Sequence, residues 1–214
     1  MVNNTEEEQI ETLKRWWADY GKSIILGTVV GLVGIFGWRY YQNHQVETRA
    51  AGAEEFAYIS EQLSTKGADS FSEVTEFVER NKGNNYGELA ALLLAKSAVD
   101  AKDFKLAVQQ LELALAGSKD AAISDTIRLR LARVLIAQED FDSAQSYLNA
   151  VTNDAFLAER SEIQGDLYIA QADPSEAKAA YQAALEAGGL NNNPGLQLKL
   201  DNLAIATESS SEAG

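Results

Sequence analysis

An uncharged apolar run near the N-terminus constrains this chain more than any other feature. Residues 24–38 carry no charged side chain, and the segment from Ser23 to Tyr41 spans 19 positions. A helix of that length is roughly 28 Å long at 1.5 Å per residue, close to the ~30 Å hydrocarbon core of a bilayer. The segment therefore predicts one transmembrane helix over residues 23–41, in contact with the lipid bilayer.

Aromatic side chains bracket this run, and amphipathic rings favour the headgroup layer of a membrane. They are Trp16, Trp17 and Tyr20 before the run and Trp38, Tyr40 and Tyr41 after it. A buried helix of a soluble protein and a cleaved signal peptide are the alternatives. The glycines and aromatic belts disfavour the first, and Arg39 directly after the run disfavours the second.

Charges beside the run indicate its orientation. Lys14, Arg15 and Lys22 precede it, whereas Arg39 and Arg49 follow it. Cytoplasmic flanks carry the excess of lysine and arginine, so this small difference favours a cytoplasmic N-terminus and an exported C-terminal domain.

Three glycines of the run share one helix face. Gly27, Gly31 and Gly34 follow i, i+4, i+7 spacing, and the first two form a GxxxG pair. Such a face allows another helix to approach closely, which makes the three glycines a candidate packing site. Because glycine is common in membrane helices, an unused face is the alternative.

Beyond the run, three segments repeat one pattern. Their anchors are Asp103, Asp140 and Asp173, spaced 37 and 33 residues apart. This period is typical of helix-turn-helix solenoids, with 34 residues for tetratricopeptide repeats. Each aspartate is placed to cap the second helix of a pair, and Pro174 falls in the first turn, where no amide is needed.

Small residues recur at equivalent positions, where paired helices must approach closely. They are Ala95, Ala132 and Gly165 in the first helices and Ala107, Ala144 and Ala177 in the second helices. Proline occurs only twice in the chain, and alanine, leucine, glutamate and glutamine dominate the C-terminal part. The sequence therefore predicts an all-α fold: a tetratricopeptide-repeat-like α-solenoid of helical hairpins, with an irregular helical bundle as the alternative.

The ends of the solenoid are predicted from local signals. Residues 48–63 favour a helix, and Ser70 with Glu73 favours a capping box that opens a second helix. A short closing helix is expected over residues 196–203. The predicted organisation is a cytoplasmic charged tail over 1–22, the transmembrane helix over 23–41, an exported helical domain over 42–206 and a disordered tail over 207–214.

Composition argues against several classes of function. The net charge is −14 and no basic patch is interleaved with aromatics, which disfavours a nucleic-acid partner. The chain has no cysteine and only one histidine, His44, so metal sites and nucleophile–base pairs have little support. We expect no enzyme activity, no cofactor and no metal.

A protein-binding groove is the remaining prediction. In tetratricopeptide repeats the first helix of each pair lines the concave face. The repeat register places six candidate contact residues there: Leu92, Lys96, Leu129, Arg133, Glu162 and Asp166.

Residues 8–205 resemble the ancillary SecYEG translocon subunit family, the YfgM-like proteins of bacterial inner membranes. The likeness is carried by the membrane exit Gly37-Trp38-Arg39-Tyr40-Tyr41 with His44-Gln45-Val46, by the run from Tyr86-Gly87 through Asp100, by Leu129-Arg130-Leu131-Ala132-Arg133-Val134 and by Lys199-Leu200-Asp201-Asn202-Leu203.

The resemblance implies an inner-membrane protein with a cytoplasmic N-terminus and a periplasmic repeat domain. It further implies association with the SecYEG translocon, partnership with the membrane-anchored periplasmic chaperone PpiD, and contact with exported client proteins on their way into the periplasmic chaperone network. The alternative is a helical-repeat scaffold for an envelope enzyme complex, without direct contact with exported chains.

Overall fold

The computed structural model describes the backbone of residues 3–189 and 195–212 and the side chains of residues 9–22, 25–42, 52–189 and 195–203. No β-strand occurs in these ranges. The helices are α1 (Asn3–Lys66), α2 (Phe71–Arg80), α3 (Asn85–Asp100), α4 (Phe104–Gly117), α5 (Ala121–Ala137), α6 (Phe141–Asn149), α7 (Leu157–Ala170), α8 (Pro174–Glu186) and α9 (Gly195–Glu212). The predicted all-α fold is confirmed.

The chain forms two compact units, Met1–Glu54 and Glu55–Gly214. In the first unit, no single helix among the described residues is both long and apolar enough to cross a membrane. Two segments, Gln9–Lys22 and Ile25–Gln42, meet those requirements together, with a bend of 45° at the break between them. The second of these contains most of the predicted transmembrane helix.

Six helices of the second unit pair into the predicted hairpins, α3 with α4, α5 with α6, and α7 with α8. The hairpins stack because α4 packs against α5, α6 against α7, and α5 against α7. Helix α2 packs on α3 at one end of the stack, and α9 packs on α8 at the other.

One turn geometry closes all three hairpins. Lys102, Glu139 and Ala172 adopt left-handed backbone angles, with φ of 62°, 61° and 61°. In each turn the amide of the following aspartate donates to a carbonyl near the end of the preceding helix, as in the hydrogen bond from Asp103 to Ala98 at 2.8 Å. The repeat detected in the sequence is therefore a repeat of backbone conformation.

The three anchor aspartates cap the second helices as predicted. Asp103 accepts from the amide of Leu106 at 3.1 Å, and Asp140 and Asp173 make the equivalent hydrogen bonds to the amides of Ser143 and Glu176. Each cap satisfies an amide that the helix itself leaves unpaired.

The small residues lie where the helices approach. Ala107, Ala144 and Ala177 are fully buried in the second helices, as are Ala95 and Ala132 in the first. Gly165 makes the closest approach, because a Cβ placed there would lie 2.3 Å from the ring of Tyr181. Glycine at 165 thus leaves room for the ring of Tyr181 of α8 to pack closely against α7.

Two local predictions at the ends differ from the structure. Ser70 does not form a capping box, because its backbone belongs to a 3-10 turn, Gly67–Ser70, and its hydroxyl donates to the carbonyl of Gly67 at 2.8 Å. Helix α9 continues to Glu212 and so includes most of the segment predicted to be disordered. Residues 213–214, and the side chains beyond Leu203, lie outside the described part.

Candidate protein-binding surface

The six predicted contact residues on the first helices of the hairpins lie in different surroundings. Leu129 is 1% exposed and lies in the core, and Leu92 packs partly buried against the same core. The accessible neighbours are Leu93 on α3 and Arg130 on α5. Leu129 is therefore a packing residue, and its side chain is not available to a ligand.

Lys96 and Arg133 are exposed on α3 and α5. Lys96 Nζ lies 3.1 Å from Asp100, and Arg133 lies 2.8 Å from Glu159 of α7. Exposed ion pairs of this kind contribute at most about 1 kcal/mol, so both cations can exchange their partners for those of a ligand.

An open cleft of about 500 Å³ lies among the N-termini of α3 and α5, the C-terminus of α4 and the end of α2. Leu89 of α3 and Ile123 of α5 line it while remaining 47% and 45% exposed. Leu113 of α4 and the nearly buried Val78 of α2 extend the apolar lining. The cleft thus offers apolar surface that the stack leaves unfilled.

Close packing of the α2–α3 turn shapes one wall of this cleft. A Cβ at Gly87 would clash with the carbonyl of Asn81, and the side chain of Asn84 caps α3 by accepting from the amide of Gly87 at 2.9 Å. The rim carries Lys82 and Lys119 together with acidic residues, so it is electrostatically mixed.

Glu162 and Asp166 lie at the other end of the stack, and the structure brings them together. Lys199 of α9 donates to Glu162 at 2.7 Å and to the two oxygens of Asp166 at 2.7 and 2.8 Å. The hydroxyl of Tyr181 donates to Asp166 at 2.7 Å, and Lys199 Nζ lies 5.5 Å from the centre of its ring. Two of the six predicted contact residues, Glu162 and Asp166, thus already bind side chains of this same chain.

The pKa values of this cluster reflect its buried charges. Burial, the hydrogen bond to Asp166 and the charges of Asp166 and Glu162 raise the pKa of Tyr181 above its ordinary 10.0. Burial lowers the pKa of Lys199, but hydrogen bonds to Asp166 and Glu162 outweigh it, so the pKa lies above its ordinary 10.5. At physiological pH the Tyr181 side chain is therefore neutral and the Lys199 side chain carries its positive charge.

A buried carboxylate between the two ends was not recognised from sequence. Asp125 of α5 is 1% exposed, pairs with Arg128 at 2.7 Å and accepts from the amides of Thr152 and Asn153 at 3.3 and 3.0 Å. It fastens the connection between α6 and α7 to α5. An aspartate on an otherwise apolar helix face is the signal that could have indicated it.

The predicted packing site in the first unit has an open surface. A Cβ added at Gly27, Gly31 or Gly34 would meet no atom within 4 Å in the described structure. No group of three or more histidine, aspartate or glutamate residues in the described ranges could hold a metal ion.

Capped helical hairpins stacked in this way define a helical-repeat protein. A family model described as a tetratricopeptide repeat-like domain matches residues 14–205. No solved structure matches the chain at a comparable level of significance.

Curated relatives identify the particular family. The ancillary SecYEG translocon subunit of Aggregatibacter actinomycetemcomitans is 35% identical over 92% of this chain and 97% of its own length. The proteins of the same name from Haemophilus influenzae and Escherichia coli are 32% and 30% identical, over 92% and 95% of this chain and 97% and 99% of their own lengths. This chain belongs to the ancillary SecYEG translocon subunit family.

Proposed function

We propose that this protein is a non-catalytic, protein-binding subunit associated with the SecYEG translocon. The observation that carries the proposal is the match, over nearly the whole chain, to relatives that bear this name. The open apolar cleft supports it, because a helical-repeat domain with unfilled apolar surface is suited to binding protein segments.

The membrane anchor is the second element of the proposal. Residues 23–41 would cross the inner membrane with the N-terminus in the cytoplasm, which would place the repeat domain in the periplasm. Exposed apolar and aromatic side chains along Ile25–Gln42 support this placement, because they suit contact with lipid. Gly27, Gly31 and Gly34 would then offer a smooth face to a helix of the translocon.

The cleft is the proposed contact surface for exported chains and for the chaperone PpiD. Leu89 and Ile123 would receive apolar side chains of a partner, and Lys96 and Arg133, further along α3 and α5, would pair with its carboxylates. Through these contacts the protein would help newly exported chains into the periplasmic chaperone network.

Site-specific photocrosslinking in intact bacterial membranes tests the proposal. Probes at Gly31 and Ile123 should crosslink to translocon subunits, PpiD or exported chains, whereas a matched probe at the exposed Lys105 of α4 should give much less product. Charge reversal at Lys96 and Arg133 should reduce the crosslinks from position 123.

The contrary outcome defines the alternative function. Reproducible crosslinks from Gly31 and Ile123 to wall-synthesis enzymes alone would contradict the proposal and would favour a scaffold for an envelope enzyme complex.

A further inference from the structure

Helix α9 packs on the last hairpin through Lys199 and through Leu196, Leu200 and Leu203. Leu196, Lys199 and Leu203 are spaced i, i+3, i+7 and therefore share one face of the helix. Leu196 is fully buried and Leu203 is nearly so, whereas Leu198 between them is 64% exposed. The inward face of α9 thus places Lys199 between Leu196 and Leu203, with Leu200 beside them.

The surface beneath α9, which we call the α9 seat, comprises Glu162, Asp166, Ala177, Tyr181 and Ala184. The two alanines and the tyrosine ring form one apolar cluster with Leu196 and Leu203. The two carboxylates hold Lys199 at 2.7 Å. Apolar positions beside an acidic pair match the pattern on α9.

The seat is separate from the main core. The main cluster of buried apolar residues extends from Ile59 to Leu167, whereas the residues that hold α9 form a second, smaller cluster. Since α7 contributes Ile163 and Leu167 to the main core, the last hairpin stays anchored when α9 leaves. Local opening of such a terminal element requires less free energy than global unfolding.

We propose that the α9 seat is a docking site for amphipathic helices of partner proteins, and that α9 is the chain's own occupant, which such a helix displaces. The incoming helix carries a lysine or arginine between two leucines at the spacing seen in α9. This inference rests on the proposed protein-binding function and names the chemistry of one segment that is bound.

The carboxylates make the seat selective for a cation. A helix with a neutral or acidic residue at the position of Lys199 would lose the ion pairs with Glu162 and Asp166, and the low exposure of Glu162 makes this loss costly. A cationic helix instead exchanges one ion pair for an equivalent one. Competition is then decided by apolar contact and by concentration.

Attachment to the same chain gives α9 an advantage over any partner. A tethered segment competes at an effective concentration on the order of millimolar, so a free helix binds well only where α9 is displaced or weakened. The seat therefore stays closed until a partner is concentrated beside it, as it would be when both are held at one membrane.

The test uses the full-length chain in lipid nanodiscs and a fluorescent peptide with the α9 sequence, Gly195–Glu212, as the probe. Fluorescence anisotropy measures binding to the wild-type chain and to a variant with Leu196→Asp and Leu203→Asp, which releases the tethered helix. The released variant should bind the peptide at least about tenfold more tightly than wild type. Equal affinity for both chains, with the helical content of the variant intact by circular dichroism, would overturn the proposal.

A charge exchange provides the matched control. The peptide with Lys199→Glu should lose binding to the released variant and regain it when that variant also carries Glu162→Lys and Asp166→Lys. Undiminished binding of the Lys199→Glu peptide to the released variant would overturn cation recognition at the seat. Copurification of SecYEG with the same variants reports on the proposed function separately, so each idea can fail alone.

Discussion

The two ends of the repeat stack differ in how far the first helices of the hairpins are covered by the rest of the chain. At one end, the cleft between α3 and α5 leaves Leu89 and Ile123 half exposed. At the other, α5 packs directly on α7, and Lys199 of α9 covers Glu162 and Asp166. The same hairpin architecture therefore supports an open apolar surface and a closed polar one, which differ in whether the chain supplies its own occupant.

The largest expected contrast between the ends comes from glycine substitutions. Gly165→Ala would force a Cβ to within 2.3 Å of the ring of Tyr181 and should destabilise the fold by about 3 kcal/mol. Gly117→Ala, at the cleft, meets nothing within 4 Å and should be neutral or stabilising by up to about 1 kcal/mol. Urea unfolding of both variants measures the difference. Equal effects would contradict the difference in packing between Gly165 and Gly117.

The end of the stack that α9 covers, which we call the closed end, should show the next largest effect on stability when the cation of Lys199 is removed. Lys199→Ala removes the ion pairs with Glu162 and Asp166 and should cost about 1–2 kcal/mol of unfolding free energy. Lys96→Ala, whose ion pair is exposed, should change stability by less than about 0.5 kcal/mol. Thermal unfolding checks both, and a loss at Lys96 as large as that at Lys199 would contradict the distinction.

Alkaline pH should weaken the closed end. Tyr181 and Lys199 both have a raised pKa in the folded state, so their contribution to stability is fully present below about pH 10 and is lost as the pH rises through the raised values. The groups that face them are the carboxyl groups of Glu162 and Asp166. Anisotropy of a fluorophore attached to α9 should fall above about pH 10. Tyr181→Phe provides the comparison, since it removes one of the two titrating groups.

The shared turn geometry predicts equal effects at both ends. Lys102→Gly and Ala172→Gly replace residues with φ of 62° and 61° by the residue that adopts this region without strain. Each should stabilise the fold by about 0.5–1 kcal/mol. Unequal gains in urea unfolding would show that the two turns are strained to different degrees.

A small effect on stability, with a clear effect on binding, is expected at the cleft. Ile123→Ser removes a half-exposed side chain and should change the unfolding free energy by less than about 1 kcal/mol. Crosslinking from a probe at Leu89 should nevertheless decrease, because the apolar surface offered to a partner is reduced. Unchanged crosslinking would exclude Ile123 from the contact surface.

The turns were predictable from sequence, whereas the burial of Leu129 in the first helix of its hairpin was not. Asp103, Asp140 and Asp173 act through their own neighbouring amides, so local spacing was sufficient to assign them. Leu129 and Arg130 differ by about 100° around α5, and a register error of one residue exchanges a core position for an exposed one. The rotation of α5 about its own axis is set by packing between neighbouring hairpins. The sequence of a single repeat carries no information about this packing.

The α9 seat and the cleft depend on contacts between residues that are still further apart in the chain. Lys199 and Glu162 are separated by 37 residues, and neither shows a local pattern that identifies its partner. The cleft arises from the arrangement of α2, α3, α4 and α5, so the exposure of Leu89 and Ile123 follows from the angle between hairpins rather than from either residue.

The contact between Gly165 and Tyr181 limits how this chain can evolve. A methyl group at 165 has no room while a tyrosine ring occupies position 181, and a smaller residue at 181 would lose the hydroxyl that binds Asp166. Neither position can change first without loss. The pair is therefore expected to be inherited together, and a lineage that alters one should carry a compensating change at the other.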